Sequence, residues 1–273
     1  MVAALPRLDS GAVYRQWLPA HTPVATLLLL HGLGEHSGRY QALGERFAQR
    51  GIAVFALDHR GHGQSPGPRV NVRHFDDYLP DARALRRVIN NQYPELPCFL
   101  LGHSMGGLMA ARLLLEDQSD YQGVMYSGPA FAAAEPPSPL LMGIARSLAK
   151  VFPGTGLMAL DASGVSRDPD VVAAYEADPL VHHGKITAGL GVALFDAMDR
   201  VMAGAADLTL PTLIMHGGAD TLATPGGSRD FFDRLSSADK TLDILPGLYH
   251  EIFNEPEGPS VIDQYIDWVM ARL

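Results

Sequence analysis

Cys98-Phe99-Leu100-Leu101-Gly102-His103-Ser104-Met105-Gly106-Gly107-Leu108-Met109 is the stretch on which the fold turns. It opens with a short unbroken apolar run, passes through a glycine–serine–glycine segment and continues as a helix former. An unbroken apolar run of this length is the pattern of a strand buried on both faces of a parallel sheet. Gly102-x-Ser104-x-Gly106 between a strand and a helix puts a serine on a sharp, strained turn with its hydroxyl exposed. A side chain at 102 or 106 would collide with the neighbouring strand or helix, so glycine is a steric requirement there.

The same apolar pattern recurs on either side. Residues 13–18, 25–30, 52–57, 123–126, 212–215 and 241–245 read as further strands, most of them nearly continuous in apolar character. Helical stretches lie between them at 40–50, 77–92, 105–116, 228–235 and 260–272; the second repeats Leu79, Ala82, Leu85 and Val88/Ile89 at helical spacing. Strands alternating with helices predict a doubly wound α/β sheet. The alternation breaks at 129–206, where Pro136-Pro137-Ser138-Pro139 and Pro153-Gly154 punctuate a region without a strand-like run. A helical insertion is expected there, within a single domain spanning 1–273.

Composition narrows the function classes. A formal charge of -9 excludes a nucleic-acid partner, which would need clustered Lys and Arg. The lone Cys98 rules out an intramolecular disulfide and sits in a core strand. Met1 to Asp9 lacks the basic-then-apolar pattern of a signal peptide, and no segment approaches the roughly 20 apolar residues of a membrane span. A cytoplasmic protein, at most peripheral to a membrane, is the expectation.

A serine hydroxyl needs a base within hydrogen-bond reach, and the base needs a carboxylate to fix its tautomer. In a doubly wound sheet such groups sit in loops at the carboxyl ends of strands. Downstream of Ser104, the run 212–215 is followed by His216-Gly217-Gly218-Ala219-Asp220, and 241–245 by Pro246-Gly247-Leu248-Tyr249-His250. Asp220 is therefore the expected acid and His250 the base; Asp207, Asp233 and Asp239 lack a Gly-flanked loop directly after a strand. His216 reads as a packed or hydrogen-bonded histidine, and His21, His74, His182 and His183 as surface or cap residues. His59 and His62 have H-x-x-H spacing without a third ligand pattern, so no metal is expected. The strand 25–30 ends in His31-Gly32-Leu33-Gly34, a loop whose backbone N–H groups can turn toward a ligand. An oxyanion hole built from the N–H groups of Leu33 and Met105 follows. Gly32, Gly34 and Gly38 do not have dinucleotide-loop spacing, and no cofactor is implied.

Together these residues resemble the monoacylglycerol lipase, or lysophospholipase-like, branch of the α/β-hydrolases. The likeness runs through His31-Gly32-Leu33-Gly34-Glu35-His36-Ser37-Gly38-Arg39-Tyr40, Asp58-His59-Arg60-Gly61-His62-Gly63-Gln64-Ser65 and Gly102-His103-Ser104-Met105-Gly106-Gly107. It continues through Ser166-Arg167-Asp168, Tyr175, Asp178-Pro179-Leu180, Gly217 to Asp220 and Tyr249-His250, and is weakest over 130–164. The resemblance implies the α/β-hydrolase fold, with a mostly parallel central sheet, helices on both faces and a helical cap at 129–206 inserted before the acid-bearing strand. It implies cleavage of monoacylglycerols to glycerol and fatty acid through an acyl-enzyme. It also associates Glu35, Arg39, His103 and Tyr175 with a polar pocket for glycerol, although Glu35 and Arg39, four apart, could simply pair with each other. The apolar residues Leu140, Leu141, Ile144, Leu148, Val151 and Phe152 either pack the cap on the core or form a lipid-facing lid making transient contact with membranes or micelles. Some relatives carry a thiol near the acid; Leu222 and Ala223 stand in this chain, so thiol reagents should spare it. The same triad would serve a lysophospholipase or a general carboxylesterase. A non-catalytic hydrolase-fold binder of small lipids would be expected to lack part of it.

Overall fold

Seven strands form the main sheet of a computed structural model describing residues 4–134, 137–159 and 161–273. Met1 to Ala3, at the head of the segment read for a signal peptide, and Pro136, in the expected punctuation, lie outside the described residues. In chain order the strands are β1 (Tyr14–Trp17), β2 (Ala25–Leu30), β3 (Ile52–Leu57), β4 (Cys98–His103) and β5 (Gly123–Ser127). The others of the sheet are β8 (Thr212–Gly217) and β9 (Lys240–Leu245); β6 (Gly156–Met158) and β7 (Ile186–Thr187) lie between, outside it. The order across the sheet is β1-β3-β2-β4-β5-β8-β9, with β1 antiparallel and the rest parallel.

Burial explains the unbroken apolar runs. Every residue of β2, β3, β4, β5 and β8 is buried. Alternate side chains enter two separate cores. Leu28, Leu30, Phe55, Leu57, Leu100 and Tyr126 point to one face; Leu27, Leu29, Val54, Ala56, Phe99 and Leu101 point to the other. Helices α2 (Leu79–Gln92), α3 (Met105–Leu114) and α6 (Ala188–Gly204) pack into the first core. Helices α1 (Gln41–Gln49) and α8 (Gly258–Met270) close the second. Each fully buried Leu or Phe contributes roughly 1.5–3 kcal/mol relative to exposure, so this two-sided burial dominates stability.

The chain winds from β2 to β3 in one direction and from β4 onward in the other. The carboxyl ends of β2 and β4, paired at Leu30 and Gly102, flank the crevice where the order reverses, the usual ligand site of an open α/β sheet.

Between β5 and β8 the chain leaves the sheet through α4 (Pro139–Val151), β6, α5 (Pro169–Ala177), β7 and α6. Side-chain caps start these helices: Ser138, Asp168 and Thr187 accept N–H groups of the first turns of α4, α5 and α6, and Pro139 and Pro169 occupy the first helical position. The purely helical expectation for this region needs correction, because β6 and β7 pair as a small antiparallel ribbon with Gly156 opposite Thr187. Segments of three and two residues, one of them irregular in register, leave no periodicity to read. Helix α4 packs on α6, with Arg146 bonded to Asp196, yet none of its described residues is buried.

Candidate active site

Ser104 sits at the tight turn from β4 into α3, with φ 53° and ψ −119°. This is left-handed space that costs a non-glycine residue about 1–3 kcal/mol, and it is held by its surroundings. Ser104 N–H donates to Ser127 O on β5 (3.0 Å), and Ser104 O accepts from Gly107 and Leu108 N–H. The flanking glycines are obligatory. A Cβ on Gly102 would lie 2.3 Å from Gly106 O, and one on Gly106 2.1 Å from Leu30 O. The Ser104 hydroxyl does not cap its helix. It stands at the positive end of the α3 dipole beside the Met105 N–H.

Asp220 and His250 meet in the loops after β8 and β9. His250 Nδ1–H donates to Asp220 Oδ2 at 2.6 Å. The same oxygen accepts from His216 Nε2–H at 3.0 Å, while Oδ1 accepts from Leu222 and Ala223 N–H at 2.8 and 3.0 Å. Burial alone would raise the Asp220 carboxyl, but His250 and His216 outweigh it and hold it well below the usual carboxylate range. His250 moves the other way: burial opposes its charge, yet Asp220 and, more weakly, Glu251 and Glu35 leave its pKa raised. With Nδ1 donating to the carboxylate, Nε2 presents a lone pair able to take a hydroxyl proton. No hydrogen bond joins Ser104 Oγ to a described residue in this structure; such contacts commonly tighten when substrate enters. His216, buried, bonds Ser228 and Asp220 and supports the acid.

The loop after β2 lies against the serine. A Cβ on Gly32 would meet Ser104 Cβ at 3.2 Å. Gly32 N–H donates to Glu35 Oε1, His31 Nδ1–H to Gly32 O, His59 Nε2–H to His31 O and His182 N–H to Gly34 O. Backbone and side chains thus pin the loop on both sides of Leu33, whose own N–H, like that of Met105, is taken by no described residue.

Glu35, Arg39, His103 and Tyr175 converge beside this loop. Arg39 Nη1 donates to Glu35 Oε2 at 3.0 Å, and its guanidinium lies 4.7 Å from the Tyr175 ring centre. Arg39 also grips Glu251 through both terminal nitrogens, at 2.5 and 2.7 Å. His103 donates through Nδ1 to Ser127 O, lies tilted with its ring centre 4.8 Å from that of His250 and is pushed down to about 3 by burial and by His250. Glu251 escaped the sequence reading, because its partner Arg39 is remote in the chain. The Glu35–Arg39 ion pair is present, so these residues both shape the loop and line its polar side. A cavity of about 310 Å³ opens at Leu33 and Gly34 beneath Tyr175, His182 and Ile186.

His59 and His62 are held differently from metal ligands. His31, His59 and His62 form a buried cluster, with His31 and His59 ring centres 3.8 Å apart and His62 edge-on to His59. Burial pushes His59 down to about 3 and His62 to about 4 and lowers His31 as well, which favours the neutral rings. Among the described residues no group of three or more His, Cys, Asp or Glu side chains is placed to hold a metal ion. No described helix is long and apolar enough to cross a membrane.

A mostly parallel sheet whose winding reverses beside a strained serine, with a hydrogen-bonded Asp220–His250 pair in the loops after its last two strands, β8 and β9, defines an α/β-hydrolase, here a carboxylic ester hydrolase. Residues 21–257 match the serine aminopeptidase S33 family. The monoacylglycerol lipase of Mycolicibacterium smegmatis is 44% identical over 96% of this chain and 93% of its own length. The human monoglyceride lipase is 36% identical over 94% and 86%, respectively. The crystal structure of the Paleococcus ferrophilus monoacylglycerol lipase superposes with a TM-score of 0.87 at 34% identity, covering 96% of this chain and 99% of that one. The chain belongs to the serine aminopeptidase S33 family and, within it, groups with the monoacylglycerol lipases.

Proposed function

We propose that the protein hydrolyses monoacylglycerols to glycerol and free fatty acid, with Ser104 as nucleophile, His250 as base and Asp220 as its orienting acid. The observation that supports the chemistry is the strained turn at Ser104, with the Gly32 loop against it, together with a histidine tied to a buried carboxylate. As the Ser104 hydroxyl attacks the ester carbonyl, His250 Nε2 takes its proton. The N–H groups of Leu33 and Met105 receive the oxyanion; each such donor is worth about 3–4 kcal/mol of transition-state stabilisation. His250 then protonates the departing alcohol, and water repeats the sequence on the acyl-enzyme. Asp220 keeps the imidazole in the accepting tautomer and steadies the imidazolium.

The acyl half of the substrate is assigned to the cap, residues 129–206, which we treat as an insertion in one hydrolase domain. Leu140, Leu141, Ile144, Val151 and Phe152 are each more than half exposed on or just after α4. This supports a face that docks transiently on membranes or micelles, on a protein otherwise expected in the cytoplasm. The glycerol half is assigned to the polar side formed by Glu35, Arg39, His103 and Tyr175. A panel of 1- and 2-acylglycerols, lysophosphatidylcholine, simple esters and aminoacyl anilides tests the reading. Fastest turnover on acylglycerols is expected. Preference for the anilides or for lysophosphatidylcholine would overturn the substrate assignment.

A further inference from the structure

Behind the serine lies a charge imbalance. Glu35 and Glu251 are buried, at 3% and 5% exposure, and share one cation, Arg39. Arg39 Nη1 donates to Glu35 Oε2 and Glu251 Oε1, and Nη2 to Glu251 Oε2, so both terminal nitrogens are committed. The recorded partners of Glu35 are all donors: Gly32 N–H and the Tyr40 hydroxyl at Oε1, and Arg39 at Oε2. Burial and the neighbouring Glu251 carboxylate raise the Glu35 pKa, but Gly32 N–H and Arg39 can only donate and the Tyr40 hydroxyl alone could accept a carboxyl proton, so the shell favours the anion. Glu251 likewise accepts from Arg39 and from the Asn254 amide. Two carboxylates against one guanidinium leave one surplus negative charge in a site that screens it poorly.

That surplus adjoins the reacting atoms. A Cβ on Gly32 would meet Glu35 Oε1 at 2.9 Å and Ser104 Cβ at 3.2 Å, so the carboxylate and the nucleophile press on the same glycine. Glu251 follows the base in the chain. Arg39, His103, Glu251 and Asn254 line a small cleft beside it. His103 brings no compensating charge, because its Nδ1–H is spent on Ser127 O and its ring is buried.

We propose that Glu251, together with Glu35, is a specificity filter that admits esters with an uncharged leaving alcohol and rejects those whose leaving group carries phosphate. The proposal rests on the acylglycerol reading above and deepens it. A polyol can donate hydroxyls to the carboxylates. A phosphomonoester brings almost two negative charges toward a guanidinium that is already neutralised. Like charges a few ångströms apart in a partly buried site correspond to a discrimination of at least about tenfold in kcat/KM.

The test compares 1-acylglycerol with 1-acylglycerol 3-phosphate of the same short acyl chain, as monomers, on the wild type and on Glu251→Gln. The rate of fluorophosphonate labelling reports whether the site is intact. The wild type should favour the neutral ester by about tenfold or more, and Glu251→Gln should cut that ratio about tenfold while labelling continues. An unchanged ratio in a variant that still labels, or no preference in the wild type, overturns the filter. Should Glu251→Gln fail to fold, acyl esters of choline and of 2-hydroxyethyl phosphate on the wild type decide. The cationic leaving group should be faster than the anionic one, and equal rates overturn the proposal. Cleavage of these two esters but of no glycerol ester would sink the substrate reading, while their ratio would still judge the filter.

Discussion

Replacing Asp220 by asparagine isolates what the buried carboxylate does for the base. Leu222 and Ala223 N–H both point at Oδ1, so the amide oxygen of asparagine must take that position. Its NH2 group then faces His250 Nδ1 and His216 Nε2. His216 can adapt, because its Nδ1 partner is the Ser228 hydroxyl, which donates or accepts. His250 cannot adapt without loss: an amide donor at Nδ1 moves the ring proton to Nε2, where it blocks acceptance of the serine proton. The same exchange in a protease Ser-His-Asp triad costs about 10⁴-fold in kcat, or about 5.4 kcal/mol of barrier. A loss of that size is expected here, with KM little changed, using a soluble p-nitrophenyl ester. Thermal melting followed by circular dichroism should show the fold retained. A kcat within tenfold of the wild type, in a variant that melts normally, would refute the assigned role of Asp220.

Further outcomes follow from the same contacts. The base must be neutral to act and its pKa is raised, so kcat/KM should fall as pH drops through a value above the ordinary 6.5 of histidine; Glu251→Gln should move that limb to lower pH, and a full pH–rate profile measures both. Gly106→Ala places a methyl 2.1 Å from a backbone oxygen and should destabilise by about 3 kcal/mol or more. Gly143, in exposed α4 with nothing within 4 Å of its Cβ position, should gain up to about 1 kcal/mol as alanine; urea unfolding of the two variants provides the contrast. Changing Leu140 and Ile144 together to serine should weaken co-sedimentation with lipid vesicles and hydrolysis of vesicle-borne substrate, while turnover of a soluble short-chain ester stays unchanged. Equal loss on both substrates would place α4 in the chemistry rather than at the lipid surface.

Most of the sheet was legible because burial on both faces demands apolar side chains at every position. The runs 25–30 and 52–57 coincide with β2 and β3. β4 continues beyond its apolar run through His103 and β8 through His216 and Gly217, because a buried histidine satisfied by Ser127 or Ser228 can occupy a strand end. Hydropathy does not register such a hydrogen bond. The turn at Ser104 was legible from steric demands on Gly102 and Gly106, and the places of Asp220 and His250 from the strands they follow. The β6–β7 ribbon was not, being too short to show a period. Glu251 was not singled out because its importance comes from Arg39, more than two hundred residues away in the chain, and no local pattern announces such a long-range ion pair.

The account rests most heavily on Ser104, and one measurement addresses it directly. The protein is treated with a fluorophosphonate, the adduct is located by peptide mass spectrometry, and glycerol and fatty-acid release from a monoacylglycerol is followed in the wild type and in Ser104→Ala. The account predicts a single adduct on Ser104, equimolar release of both products by the wild type, and a loss of at least about 10³-fold in the folded variant. Labelling at another residue, or hydrolysis that survives in Ser104→Ala, would contradict it.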